Sequence, residues 1–413
     1  MPDTADVVVV GAGVIGNAVA YYLSLEGVKV LLLEQEAIGS GSSAHATGSI
    51  SLLGTEFSPG PSFLTGLESY RMFAELVPRL EEETGMDLLY QRCPSLRLAL
   101  EGDEERLIKD MMAWQQEFVS MRWIDGDEVR RLEPRLTPGI RGAVYEDEST
   151  QLDSYRLTLA LARAAEVHGA QVRLRRVAGL ETRGSRVTGV RSIGGNISCG
   201  TVVLAMGAWS ADCARWLHFP VPVSPLKGER LLLRFDGPPL PVLISSPKRG
   251  HMISRLDGLL SVGSTGGRDY DEKDLFLGVE FDRTPTEAAR TELLQRAIDV
   301  FPALETARLV QQLAGSRPLS ADRMPIIGPV PGWEGVMLAT GHGTKGIHLA
   351  PITGKAIADY VLRSKATESV RGGQVEERVE QHEVPVRMDI FLPARFSSAD
   401  TPDFQAAGHQ VEE

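Results

Sequence analysis

Hydrophobic positions change period several times along the chain, and each change marks an element. Val7 to Val10 is a short apolar run of β-branched residues, too brief for a helix, and reads as a buried parallel strand. Ile15, Val19, Tyr22 and Leu23 then recur at helical spacing until Gly27, and Val28 to Leu33 forms a second apolar strand closed by Glu34. Helical spacing returns over 62–85, with Phe63, Leu67, Tyr70, Phe73, Leu76 and Leu80 on one face, and again over 103–121. Residues 125–136 predict a short capped helix stopped by Pro134, and Leu157 to His168 a helix ended by Gly169. A further helix spans 285–301, between Pro285 and Pro302. Strand patterns occupy Leu96 to Leu100, the meander that runs into Val202–Ala205, and the Pro-punctuated stretch 220–237. Residues 251–264 add two strands around the Asp257-Gly258 turn, and Val336 to Ala339 adds another. A glycine-rich loop then feeds a helix. Beyond about 365 the chain turns polar and reads as a tail, although Phe391 and Phe396 predict that part of it docks back. No internal repeat is present.

The junction of the first strand and helix carries chemistry. Gly11, Gly13 and Gly16 form G-x-G-x-x-G there. The first glycine permits a tight turn, the second lets a pyrophosphate approach the backbone, and the third lets the helix pack on the strand. Glu34 follows about 20 residues on, where a carboxylate can accept hydrogen bonds from a ribose. Strand, loop, helix, strand and acid together predict a dinucleotide site. Their spacing leaves open whether NAD or FAD fills it.

Composition narrows the rest. The 413 residues suffice for two domains, and 43% apolar residues supply a sizeable core. A net charge of −12 and the lack of a basic block argue against a nucleic-acid surface. No run of about 18 apolar residues occurs, so no membrane span is expected. The first strand begins within a few residues of the start, with no basic segment before it, so no signal peptide is expected. Cys93, Cys199 and Cys213 are scattered thiols, which fits a reducing, cytoplasmic setting. The eight histidines include no H-x-x-x-H pair, and no metal site is assigned.

Four segments, read together, resemble the D-amino-acid oxidase superfamily of FAD-dependent amine oxidoreductases, nearest its glycine oxidase and sarcosine oxidase branch. They are "VVVVGAGVIGNAVAYYLSLEG…VLLLEQ", "GSGSSAHATGSI", "VVLAMGAWS" and "SRPLSADRMPIIGPV…ATGHGTKGIHLAPITGKAIADYV". The resemblance implies FAD, held non-covalently because no cysteine stands near 315. It implies an α/β (α+β overall) fold, with a Rossmann-like FAD-binding domain interleaved with a mixed β-sheet substrate domain. The FAD-binding domain would take 1–85, 150–218 and 315–365, the substrate domain 86–149 and 219–314, and a partly docked tail 366–413. Val14 and Ile15 would border the pyrophosphate. Glu34 and Gln35 would lie at the adenosine ribose, with the Val177 backbone at the adenine. Ser42 and Ser43 match hydroxyl residues that touch phosphates, and Thr47, Gly48 and Ser49 match the stretch passing the flavin ring. Gly207, in "VVLAMGAWS", joins the cofactor residues. So do Gly341, His342, Gly343, Thr344, Lys345, Gly346 and Ile347, in the loop at the flavin's pyrimidine end.

For substrate, the resemblance points to Arg317, whose fork would grip a carboxylate. An ion pair with Asp322 is the structural alternative. His251 falls where glycine oxidases place a tyrosine over the substrate; its plainer reading is a strand histidine beside Lys248 and Arg249. Lys345 matches a carboxylate-binding lysine of sarcosine oxidases, while Thr344 replaces a loop arginine of glycine oxidases. Ser261 stands where sarcosine oxidases carry a lysine that helps oxygen react. Lys227 lies in a segment typical of the family. The implied activity is oxidation of the C–N bond of an amino acid or N-alkyl amino acid to an imine, which hydrolyses. The electrons would pass to oxygen. Two other readings stand beside it: a dehydrogenase passing electrons to a quinone or partner subunit, and a non-catalytic flavin-binding subunit. The amine must shed a proton first, so activity is expected to rise with pH. An oligomer is compatible with all of these.

Overall fold

In the computed structural model, which describes residues 3–51, 59–265, 281–371 and 386–397, the apolar runs become the centre of a six-stranded sheet. Its order is Gln171–Leu174, Val30–Glu34, Val7–Val10, Thr201–Leu204, Val336–Thr340 and Ile326–Pro329. All neighbours are parallel except the last pair. Side chains alternate across a strand, so Val7 and Val9 enter one core while Val8 and Val10 enter another. A strand buried on both faces must be apolar at every position, which is why this run lacks alternation.

Helix Val14–Leu25 covers one face of the sheet and packs against Ser154–Val167 and Gly346–Arg371. It is buried on most sides, Tyr21 completely, whereas Tyr22 is only half-buried. Helical spacing from Ile15 picked Tyr22 instead. A helix with neighbours on three sides has no single apolar stripe.

The second large sheet has eight strands and is mixed. Its order is Arg308–Ser320, Val223–Arg234, Leu260–Gly263, Gly250–Ser254, Leu243–Ser246, Ser95–Ala99, Gly142–Glu146 and Met121–Asp125. Only the Leu243–Ser246 and Ser95–Ala99 neighbours run parallel. One face is apolar: Leu231, Leu233, Ile244, Met252, Leu260 and Val262 pack beneath helix Glu287–Val300. The opposite face is where the site lies. A smaller sheet, Asp3–Thr4, Gly195–Ser198, Arg186–Ser192 and Val177–Arg183, flanks the first.

Three elements depart from the sequence pattern. The helix expected over 103–121 ends at Gln115, and Met121–Asp125 becomes the edge strand of the eight-stranded sheet. Its backbone pairs with Gly142–Glu146, a partner that local periodicity cannot reveal. Helix Gly346–Arg371 continues past 365, where the polar composition suggested a tail. Strand Arg308–Ser320 is continuous, so the domain boundary expected at 315 falls inside one element. Further on, Met388, Phe391 and Phe396 are buried, and Arg395 pairs with Asp322 at 2.7 Å. Among the described residues no helix is long and apolar enough to cross a membrane.

Candidate active site

A cavity of about 330 Å³, in the size range of ligand and cofactor sites, runs between the two large sheets. Gly11 opens it. Its φ of +103° is a left-handed conformation, and a Cβ there would lie 2.3 Å from the Ala205 carbonyl oxygen. Gly13 then caps the helix with no side-chain bond, and the Val14 N–H donates to Ser43 Oγ at 3.0 Å. Asn17, which sequence reading passed over, ties the loop from below. Its buried Nδ2 donates to the carbonyls of Ala12 and Gly13 at 2.9 and 3.0 Å. Glu34 closes the loop from the neighbouring strand, where Oε2 accepts from the Ala12 N–H at 2.8 Å and Oε1 from the Glu36 N–H at 2.9 Å. Gly11, Gly13, Val14, Ile15, Glu34 and Gln35 all face the cavity, and so does Val177. Gly16 sits behind the wall, under the Gly11 carbonyl.

The middle of the cavity is lined by Ser42, Ser43, Thr47, Gly48 and Ser49 on one side and Gly207 on the other. Ser49 belongs to a two-residue strand paired with Gln151. Thr340 Oγ1 donates to the Gly207 carbonyl at 3.2 Å, which fixes that turn against the sheet.

At the far end, strand Val336–Thr340 gives way to the loop, and His342, Gly343, Thr344, Gly346 and Ile347 reach the wall. Gly341 packs on Ser320 behind it. Lys345 is half-buried and lies off the cavity, so the loop does not bring it to Arg317 as a wall residue. Its charge still reaches inward. Burial, and then Lys345, push the His342 pKa down to about 3 and that of His348 to about 4. His342 Nε2 pairs with Thr353 Oγ1 at 3.1 Å, while Nδ1 is buried without a hydrogen-bond partner among the described residues.

The polar face of the eight-stranded sheet forms the roof. Cross-strand register sets Arg230, Gly263, His251, Ser245 and Arg97 in one row over five strands. Four of them, all but Gly263, line the cavity. His251 is therefore not a solvated strand residue. Its Nε2 pairs with Thr47 Oγ1 at 2.7 Å, whereas Lys248 and Arg249 turn away to Glu101, Asp103 and Glu104. Burial, then the charges of Arg317 and Arg230, lower its pKa to about 4, so the ring is neutral near pH 7.

Arg317 leans across the neighbouring strand. A Cβ on Gly228 would lie 2.2 Å from the guanidinium carbon, so only glycine leaves room for the fork in this pose. Nη1 donates to the Thr265 carbonyl at 3.1 Å. Asp322, the alternative partner, is held by Arg395. Lys227 pairs with Asp282 at 3.0 Å. Arg230, Ser245 and Arg97 were missed in the sequence. The only local hint was a charge inside an apolar run, "GERLLLRF", and the register that groups these residues has no signature within any one segment.

Known proteins resemble this chain in sequence and fold. The family model described as FAD dependent oxidoreductase (DAO) matches residues 6–360. Glycine oxidase of Pseudomonas putida is 33% identical over 360 residues, which cover 86% of this chain and 94% of that protein. The crystal structure of glycine oxidase from Geobacillus kaustophilus superposes with a TM-score of 0.81 at 29% identity, covering 87% of this chain and 95% of that one. Glycine oxidase from Bacillus cereus gives 0.78 at 30%, covering 91% and 100%. The wall fits FAD. The helix start behind Gly13, which has no side chain to cover it, suits phosphate charge, Glu34 retains lone pairs for a ribose, and His342 Nδ1 is a buried polar atom with no hydrogen-bond partner among the described residues. The chain belongs to the FAD-dependent oxidoreductase (DAO) family, and FAD is its cofactor.

Proposed function

We propose that this chain oxidises the C–N bond of an amino acid or N-alkyl amino acid to an imine, which water hydrolyses to an oxo acid and an amine. The relatives it is similar to are, by name, oxidases of the amino acid glycine. The observation that carries the reading is Arg317, whose guanidinium is held over Gly228 inside the cavity and within electrostatic reach of His251. A carboxylate leaving water needs a fixed cation, and a planar fork holds it in one orientation. FAD, when bound, supplies the acceptor for the two electrons lost from the α-carbon. His251, neutral and tied to Thr47, gives the substrate amine a hydrogen-bonding neighbour without adding positive charge. The amine must reach it unprotonated, so kcat/KM rises with pH. No lysine at 345 is required for anchoring, because Lys345 lies off the cavity.

In the same reading the six-stranded sheet with its helices is the FAD-binding body, and the eight-stranded sheet is the substrate-binding body. FAD is held non-covalently, and acid should release it intact. Oxygen is the electron acceptor, and the three free, buried cysteines suit a cytoplasmic setting. The test is anaerobic. Holoenzyme is mixed with single amino acids while the visible flavin absorbance is followed. Bleaching by an amino acid, and not by the amine that lacks its carboxylate, is expected. Equal bleaching by both would overturn the amino-acid reading. Oxygen uptake compared with dye-coupled turnover then decides the acceptor.

A further inference from the structure

Arg230 is 5% exposed and lines the cavity, yet no carboxylate among the described residues bonds to it. Nη1 donates to the neutral Ser261 hydroxyl at 3.1 Å, and Nε is buried with no hydrogen-bond partner among the described residues. The acids whose fields reach it, Asp153 and Asp257, are both held by Arg255 Nη2 at 2.8 Å, and Arg255 itself repels Arg230. Burial, followed by Arg255, lowers the Arg230 pKa to about 10, which leaves the side chain charged at neutral pH. A cation in this position is costly until an anion or further acceptors complete it.

Its placement relative to Arg317 is specific. Leu226, Gly228 and Arg230 alternate on one face of their strand, opposite Arg317, Gly315 and Leu313. The Arg317 guanidinium leans back over Gly228. Same-face neighbours on a strand are about 7 Å apart, so the Arg317 head lies one such step from the root of Arg230. Gly228 lies under the Arg317 guanidinium itself, and Gly315 faces the His45 side chain and the Gly41 carbonyl, so neither position brings an acid between the two arginines. Beside them stands His251, neutral and under the field of both arginines.

We infer that Arg230 anchors a second anionic group, and that the cavity takes an amino acid bearing two carboxylates, with the α-carboxylate on Arg317 and the other on Arg230. This rests on the amino-acid reading given above. The single strand step from the Arg317 head to the root of Arg230 suits a compact dicarboxylate, an acidic amino acid or an N-carboxyalkyl amino acid, over a long side chain.

Unreactive ligands separate binding from turnover. Succinate and propionate are titrated against the holoenzyme, and the shift of the flavin visible spectrum is read. Succinate should bind about tenfold or more tightly than propionate. Arg230→Met should erase that preference while propionate affinity stays within about threefold. Arg317→Leu should weaken both ligands. FAD content and Tm check that each variant folds. If Arg230→Met does not fold, Arg230→Lys is used, and a reduced preference is expected there. Absence of the preference in the unmodified protein, or its survival in Arg230→Met or in full strength in Arg230→Lys, overturns the inference. Failure of the underlying reading is a different result: neither ligand perturbs the spectrum and no amino acid bleaches the flavin.

Discussion

The two ends of the cavity are built by opposite means. The nucleotide end comes almost entirely from residues 7–36, where strand, loop, helix and the next strand follow one another and Glu34 bonds back to Ala12. Ser43 reaches in from slightly further on, and Val177 and Ala205 add to the wall from the middle of the chain. The substrate end draws on residues from Arg97 to Arg317, set side by side by register across the eight-stranded sheet. The first end is tied together by short-range backbone bonds. The second is a row of side chains whose neighbours were far away in the chain. Damage to the first should therefore cost folding and cofactor, and damage to the second should cost substrate alone.

The sharpest test of that contrast is Arg317→Leu. Losing a desolvated charge partner costs about 2–5 kcal/mol. kcat/KM for the best amino acid should fall roughly 30-fold or more, with FAD content unchanged. Arg317→Lys should recover only part, because an ammonium lacks the fork. Normal turnover by the leucine variant would remove Arg317 from the site.

Gly11→Ala should act in the reverse sense. The new Cβ would meet the backbone oxygen of Ala205 at 2.3 Å, in a left-handed conformation that alanine resists. A loss of about 2–3 kcal/mol is expected, measured as a lower Tm and substoichiometric FAD. Protein that retained full FAD and stability would contradict the close approach of Gly11 to the Ala205 carbonyl.

Acid should weaken the molecule through the histidines of the cavity. His251 and His342 have folded pKa values of about 4 and 3, below the ordinary value near 6.5. Below about pH 6.5 the unfolded chain takes up protons that the folded one refuses, so stability falls as pH falls. At about pH 5 the buried His342 should cost roughly 2 kcal/mol relative to neutral pH. Thermal melts from pH 7.5 down to 5 would show the slope, and His342→Gln should make it shallower, with His251 and His348 supplying the remainder. An unchanged slope in that variant would place the acid sensitivity elsewhere.

The smallest effect is expected from Gly228→Ala. The added methyl occupies the seat of the Arg317 guanidinium, which is the movable end of a long side chain and can swing aside. Folding and FAD content should hold, while kcat/KM drops about tenfold through misplacement of the fork. A drop in FAD content instead would mean that the two ends of the cavity are coupled.

The sequence carried the nucleotide end because each of its requirements is local. A buried parallel strand must be apolar throughout, a sharp turn needs glycine, and an acid one strand later lies over the loop, so Val7–Val10, Gly11 and Glu34 could be identified within 30 residues of one another. Resemblance to the oxidase family added Arg317 and the loop after Thr340 as residues, but not their surroundings. What covers Arg317 is a missing side chain at Gly228. What fixes His251 is Thr47, two hundred residues away in the chain. The edge strand Met121–Asp125 and the buried charge of Arg230 belong to the same class, since pairing partners and burial are supplied by other segments. Periodicity records which face of an element is apolar. Register between strands, and therefore which polar side chains share a row, is settled only when hydrophobic burial on the far face and backbone pairing with distant segments lock the sheet together.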